Sequence, residues 1–146
     1  MTENWTLEEK ENQRRLVKFK FIRLSPAEYF VQFDPIKKEQ YDHTSPIISC
    51  IFWKEKDLHI VTSVDIILIL EYLVQESFSI EEKNRIRRNL QSLKPQTISR
   101  TNKQFGRFFK LLMSMEDPRP RNIEQDLKVF RWSDLFKAIN KVISKY

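Results

Sequence analysis

Six polar side chains within nine residues hold the chemistry most worth reading in this chain: Lys83, Asn84, Arg85, Arg87, Arg88 and Gln91. Arg, Asn and Gln can grip a base edge through two parallel hydrogen bonds, Arg on guanine and Asn or Gln on adenine. Lys and any further Arg bring the positive charge that neutralises phosphate. Spacing decides which of them act together. On a helix, Ile86, Leu90 and Leu93 recur at i, i+4, i+7 and form one narrow apolar stripe. Asn84, Arg85, Arg88 and Gln91 then share the opposite face, and Lys83 and Arg87 flank the stripe. This pattern describes a helix that reads bases. It describes equally well a solvated face laid over a core.

Other chemistries have little to stand on. The two histidines, His43 in a loop and His59 in a strand, cannot join the single Cys50 in any known zinc spacing. Cys50 falls in an apolar strand, where a thiol is inert packing. Glu81 and Glu82 are paired carboxylates, but the first turn of a helix explains them through its dipole. One glycine in 146 residues leaves no phosphate-cradling loop of the GxGxxG or P-loop kind. No metal site, cofactor or enzymatic activity is expected. Asp65 and Glu71 stand out because they interrupt an otherwise apolar helix, and each calls for a partner such as a nearby Lys or Arg.

The elements that must position the basic helix follow from patterning. Val64–Gln75 is apolar nearly all round its axis, which marks a central core helix. Ser63 is placed to cap it, and Asp65 suits the positive end of its dipole. A break at Gln75–Ser79 follows. Ser79 and Glu82 then form a capping-box pattern at the start of the basic helix. A short helix over Leu7–Arg15 is expected to lie peripherally. Leu16–Leu24 and Glu28–Phe33 alternate as two strands of a hairpin, with Phe19, Phe21, Tyr29 and Phe33 toward the core. Pro46–Lys54 and Leu58–Thr62 read as two more strands. After Pro95 come a polar loop over Gln96–Asn102 and a helix over about Asn102–Met115 with a Phe-rich core face. Asp117–Asn122 is extended, Ile123–Trp132 packs along the body, and a last helix runs over Asp134–Lys145 behind Ser133. The expected fold is α+β: a small antiparallel sheet of three or four strands in the N-terminal half, then about four helices including a helix-turn-helix-like pair. Residues 1–146 are expected to form one domain, with 1–15 as a peripheral segment.

Charge is unevenly shared. The chain carries a net +6, yet residues 1–75 hold 10 Lys/Arg against 12 Asp/Glu, and residues 76–146 hold 16 against 8. The basic half follows the buried helix and points to a polyanion, with nucleic acid ahead of an acidic protein or a membrane surface. Arg100, Lys103, Arg107, Arg119 and Arg121 lie in that half as candidate phosphate contacts. Arg119 and Arg121 sit among prolines in an extended run that suits a minor-groove arm or a solvated linker. The polar, acidic N-terminus does not read as a signal peptide. No apolar run reaches the roughly 20 residues of a membrane span.

Several stretches resemble a known family. ISCIFW, VTSVDIILILEYL, EEKNRIRRNL, KPQTIS, FFKLLM, PRPRNIEQDLKVFRW and the terminal KVISKY are similar to the domain of fungal Medusa-type developmental regulators, and so is WTLEEKENQRRLVKF near the start. That resemblance implies a nuclear protein acting on transcription during sporulation and morphogenesis. It carries no residue roles. The residues therefore set the expectation: a domain that binds double-stranded DNA through its basic helical surface. A rival is a module that recruits or dimerises with other transcription regulators, its basic face meeting an acidic partner. RNA binding on the sheet is a third reading, and it requires exposed aromatics on the strands.

Overall fold

The computed structural model describes residues 1–26, 28–99, 105–120 and 127–143. Its order is α1 (Leu7–Asn12), β1 (Arg14–Ser25), β2 (Glu28–Ile36), β3 (Ile47–Trp53), β4 (Leu58–Thr62), α2 (Ser63–Val74), α3 (Ile80–Leu90), β5 (Gln96–Ile98), α4 (Gly106–Ser114), β6 (Leu127–Arg131) and α5 (Leu135–Ile143). The fold is α+β. A single antiparallel sheet of six strands runs in the order β2-β1-β3-β4-β6-β5.

The four strands read in the N-terminal half all form. Two more arrive from the second half. Gln96–Ile98, expected as loop, pairs with β6, and the 123–132 stretch contributes β6 itself. β6 slots between β4 and β5, with Val61 opposite Phe130 and Thr97 opposite Lys128. α1 stops at Asn12, because Arg14 and Arg15 belong to β1. α4 is first described as a helix at Gly106, and residues 101–104 of the expected helix lie outside the described residues. The last helix begins at Leu135, after a 3-10 turn over Trp132–Asp134.

Alternation along the strands divides the core in two. Val17, Phe19, Ile48, Cys50, Val61 and Phe130 point to one face and meet α2, α3 and α5. Ile51, Trp53, Ile60 and Val129 point to the other and meet α4 through Phe108 and Leu112. Trp53 stacks on Phe108 with centroids 4.5 Å apart. Phe19 is buried, while Phe21 and Phe33 pack partly buried at the core margin. Cys50 is fully buried, and burial pushes its thiol pKa to about 12, so it is inert packing as its strand position implies.

α2 is buried because it carries apolar residues on every side, and it lies across the sheet with Ile66, Ile69 and Leu70 inaccessible to solvent. Its cap is Thr62 rather than Ser63: the Thr62 hydroxyl accepts from the Asp65 N–H at 3.2 Å. The chain leaves α2 through Gln75 in the left-handed region, at φ 59°. It enters α3 through Ser79, whose hydroxyl accepts from the Glu82 N–H at 3.1 Å. Ser79→Ala is expected to lower stability by about 1 kcal/mol, the usual worth of such a cap. Urea unfolding measures it, and a loss below a few tenths would mean that α3 does not depend on this cap.

Candidate functional site on the second and third helices

α3 turns Ile86 and Leu90 into the core and its charged surface away from it. The outward face holds Asn84, Arg85 and Arg88, all exposed. Gln91, also exposed, continues this face into a 3-10 turn over Gln91–Leu93. The face is partly engaged with itself. Arg85 reaches Glu82 at 3.0 Å with its side chain still 66% exposed. Exposed pairs of this kind contribute under about 1 kcal/mol and exchange readily for a better partner.

Lys83 and Arg87 face elsewhere. Both are half-buried, and both line a cavity of about 290 Å³ beside α2. Arg119 joins them there from the segment after α4, loosely paired with Asp117 at 3.6 Å. Arg107 is exposed on α4, across the sheet from α3, so it does not share a surface with the other basic residues. Arg100, Lys103 and Arg121 lie outside the described residues. The structure therefore sorts the described candidates into an outward face, a cavity wall and a separate position on α4.

The cavity lies where β3 runs on past its pairing with β4. β3 and β4 pair Ile51 with Ile60 and Phe52 with His59. Two residues further on, Thr62 would stand opposite Ser49, but there the chain turns into α2. The Asp65 carboxylate takes over the role of the missing strand: its Oδ2 accepts from the Ser49 N–H at 3.0 Å. The hydrogen-bond partner of this aspartate is thus a backbone amide, and the nearby Arg that its sequence suggests, Arg14, acts on it through charge. Glu71 behaves the same way, accepting from the Phe78 N–H at 2.8 Å. Asp65 is only 1% exposed. Burial raises its pKa to about 7, against the Ser49 hydrogen bond and the Arg14 charge, which both act to lower it.

Arg14 lies close enough to Asp65 for their charges to interact. Its guanidinium donates to Ser49 Oγ at 2.8 Å, to the Glu116 carbonyl at 2.8 Å and to the Pro118 carbonyl. These bonds tie β1 to the segment that carries Arg119. On the loop side, the Tyr72 hydroxyl donates to the Thr44 carbonyl at 2.8 Å and fixes the 41–45 turn against α2. Tyr41 and His43 of that turn line the cavity. Burial and the nearby Asp117 carboxylate raise the Tyr41 pKa. The sequence shows this stretch only as the loop that holds His43. The one signal it carried was Asp65, a charge on an all-apolar helix.

The profile of the family described as "Domain of unknown function (DUF7082)" matches residues 1–143. The chain belongs to that family. The match runs from the segment before α1 to the end of α5 and so takes in the whole six-stranded sheet. No curated protein and no solved structure matches the chain. Among the described residues, no helix is long and apolar enough to cross a membrane.

Proposed function

We propose that this DUF7082 domain is a non-enzymatic nuclear transcription regulator that binds double-stranded DNA through the outward face of α3. One observation carries the reading: Arg85 and Arg88 project from the same exposed helix face as Asn84, backed by buried Ile86 and Leu90 and joined to a core helix by a short turn. A helix so mounted can enter a major groove, with Arg and Asn side chains toward base edges. The +8 balance of residues 76–146 supports a polyanionic partner. The resemblance to Medusa-type developmental regulators supports the nucleus and gene control.

Fluorescence anisotropy of labelled duplexes across a salt series tests it. Wild type is expected to bind with a negative log K against log salt slope, about 0.9 per phosphate neutralised. Arg85→Ala/Arg88→Ala is expected to lose roughly tenfold or more in specific binding, since each bidentate base contact contributes about 1–3 kcal/mol of discrimination. Weak wild-type binding to every duplex that vanishes near physiological salt would end the DNA reading.

A second reading, a module that docks or dimerises with other regulators, has its own supporting observation. Ile22, Leu24 and Phe30 are exposed together on the β1–β2 hairpin, where Ile22 stands opposite Phe30 and β1 has passed its pairing with β3. Exposed apolar side chains grouped in this way mark protein-contact surfaces. Pull-down of a partner that Ile22→Ser/Phe30→Ser abolishes, in the absence of DNA binding, would favour it.

A further inference from the structure

The cavity beside α2 has the makings of a ligand site in its own right. Three cations converge on it from two separate parts of the chain: Lys83 and Arg87 from α3, and Arg119 from the segment after α4. Their local partners are few. Arg87 donates to the neutral Asn84 Oδ1 at 3.0 Å, Arg119 has Asp117 at 3.6 Å, and no carboxylate among the described residues pairs with Lys83. Cations held near one another repel unless an anion lies between them. Glu71 also lines the cavity, with one oxygen accepting from the Phe78 N–H, and its carboxyl group offsets part of this positive charge.

The cavity floor asks for something different. Asp65 is 1% exposed, and Ser49 uses only its Oδ2. The residue lines the cavity. A carboxyl group on a cavity wall can hydrogen-bond a polar group bound there. Ile47, Leu68, Tyr41 and Tyr72 add apolar and aromatic surface to the wall. The volume of about 290 Å³ matches roughly ten water molecules, at the small end of metabolite sites.

We propose that the cavity binds a small organic anion. Its carboxylate or phosphate lies among Lys83, Arg87 and Arg119, its ring or short apolar body lies against Leu68 and Tyr72, and a polar group meets the Asp65 carboxyl group. Such a ligand fastens α3 to α2 and to the 41–45 turn. Because Lys83 and Arg87 share α3 with the outward Arg85 and Arg88, occupancy steadies the helix on which the DNA-binding reading rests, although the site itself does not depend on that reading.

The test is a titration of the full chain with phenyl phosphate, followed by calorimetry and by amide chemical shifts, with inorganic phosphate and benzyl alcohol as separate probes. Saturable one-to-one binding of phenyl phosphate is expected, with the largest shifts at the Ser49 and Asp65 amides. Inorganic phosphate and benzyl alcohol are each expected to bind at least roughly tenfold more weakly, since each makes only part of the contacts. Lys83→Gln/Arg87→Gln is expected to weaken phenyl phosphate roughly tenfold or more, the usual loss for charge-assisted hydrogen bonds. Arg119→Gln, an exposed change that leaves the core intact, is expected to weaken it as well. Arg85→Gln/Arg88→Gln is expected to leave it unchanged while lowering any DNA binding, which separates the two claims. Shifts centred on the outward face of α3, equal affinity in the cavity variants, or no saturable binding of phenyl phosphate would each overturn the proposal.

Discussion

Arg15→Ala is expected to destabilise the fold by about 3–5 kcal/mol, the loss seen when one partner of a buried ion pair is removed. Arg15 is only 5% exposed, at the inner end of β1. Its Nε pairs with Glu9 Oε2 at 2.7 Å and its Nη2 reaches Glu9 Oε1 at 3.0 Å. The same guanidinium donates to the carbonyls of Met1, Glu3 and Asn4. It also sits 5.6 Å from the Trp5 ring centroid, over the face of the indole. Trp5 in turn packs edge-on against His59 of β4 at 5.0 Å. With Met1 and Trp5 packed on the core margin, Arg15 gathers the first dozen residues against the sheet, since α1 has no buried residue of its own. Alanine would leave the Glu9 carboxylate with the Thr6 N–H, the Met1 carbonyl with the Trp5 indole N–H, and the Glu3 and Asn4 carbonyls without the Arg15 donor. Urea unfolding reads the loss, and amide exchange reads its location as faster exchange through residues 1–12. Glu9→Gln/Arg15→Met is expected to recover part of the loss, because no charge is then stranded. A cost below about 1 kcal/mol for Arg15→Ala would mean that the segment is held by something else.

The Glu9 carboxyl adds a pH signature. Burial acts to raise its pKa, but the hydrogen bond from Arg15, helped by the Thr6 N–H, outweighs burial and holds it below the ordinary 4.5. A depressed carboxyl stabilises the native state above its ordinary pKa, and that contribution fades as pH falls through the folded value. The gap between wild type and Arg15→Ala should therefore narrow in acid.

These contacts were only partly legible in the sequence, for identifiable reasons. Long periodic elements declared themselves: β3 and β4, α2 and α3, and the Ser79 cap follow from hydrophobic period and capping chemistry. Helix ends did not, because the chain has a single glycine. Gln13, Asp57, Gln75 and Lys94 take the left-handed positions where a glycine would have marked a stop. α1 was accordingly read three residues too long, and Arg15 went to a peripheral helix instead of the sheet. β5 and β6 were missed as strands for a different reason. β6 is an inner strand whose partner β4 lies some 70 residues earlier, and β5 is only three residues long. Neither has local alternation strong enough to outweigh its loop-like flanks. The candidate site split along the same line. The α3 stripe correctly predicted which side chains point outward. What a flanking position means depends on the neighbouring element: the stripe puts Lys83 and Arg87 at its edges, and only α2 and the 41–45 turn give them a cavity.

Asp65 yields the second large effect, and its sign runs opposite to that of Glu9. Its folded pKa is raised from 3.8 to about 7, with burial as the leading cause. Between those values the native state holds a proton that the unfolded chain has released. Stability therefore falls as pH rises through this window, and levels off once Asp65 ionises in both states. Linkage converts the interval into on the order of 4 kcal/mol. Asp65→Asn keeps an acceptor for the Ser49 N–H but cannot titrate. The stability of wild type minus that of Asp65→Asn, measured by urea unfolding from pH 4 to pH 8, is expected to decline steadily and then flatten near pH 7 to 8. Taking the difference cancels Glu9 and the other carboxylates, which titrate alike in both proteins. The Ser49 amide shift should follow the same midpoint in wild type and stay flat in the variant. A difference independent of pH would show that Asp65 is ionised throughout, with the cations around the cavity offsetting its burial. In that case a charged Asp65 would face an incoming anion and oppose its binding, so this titration also decides how the cavity floor meets its ligand.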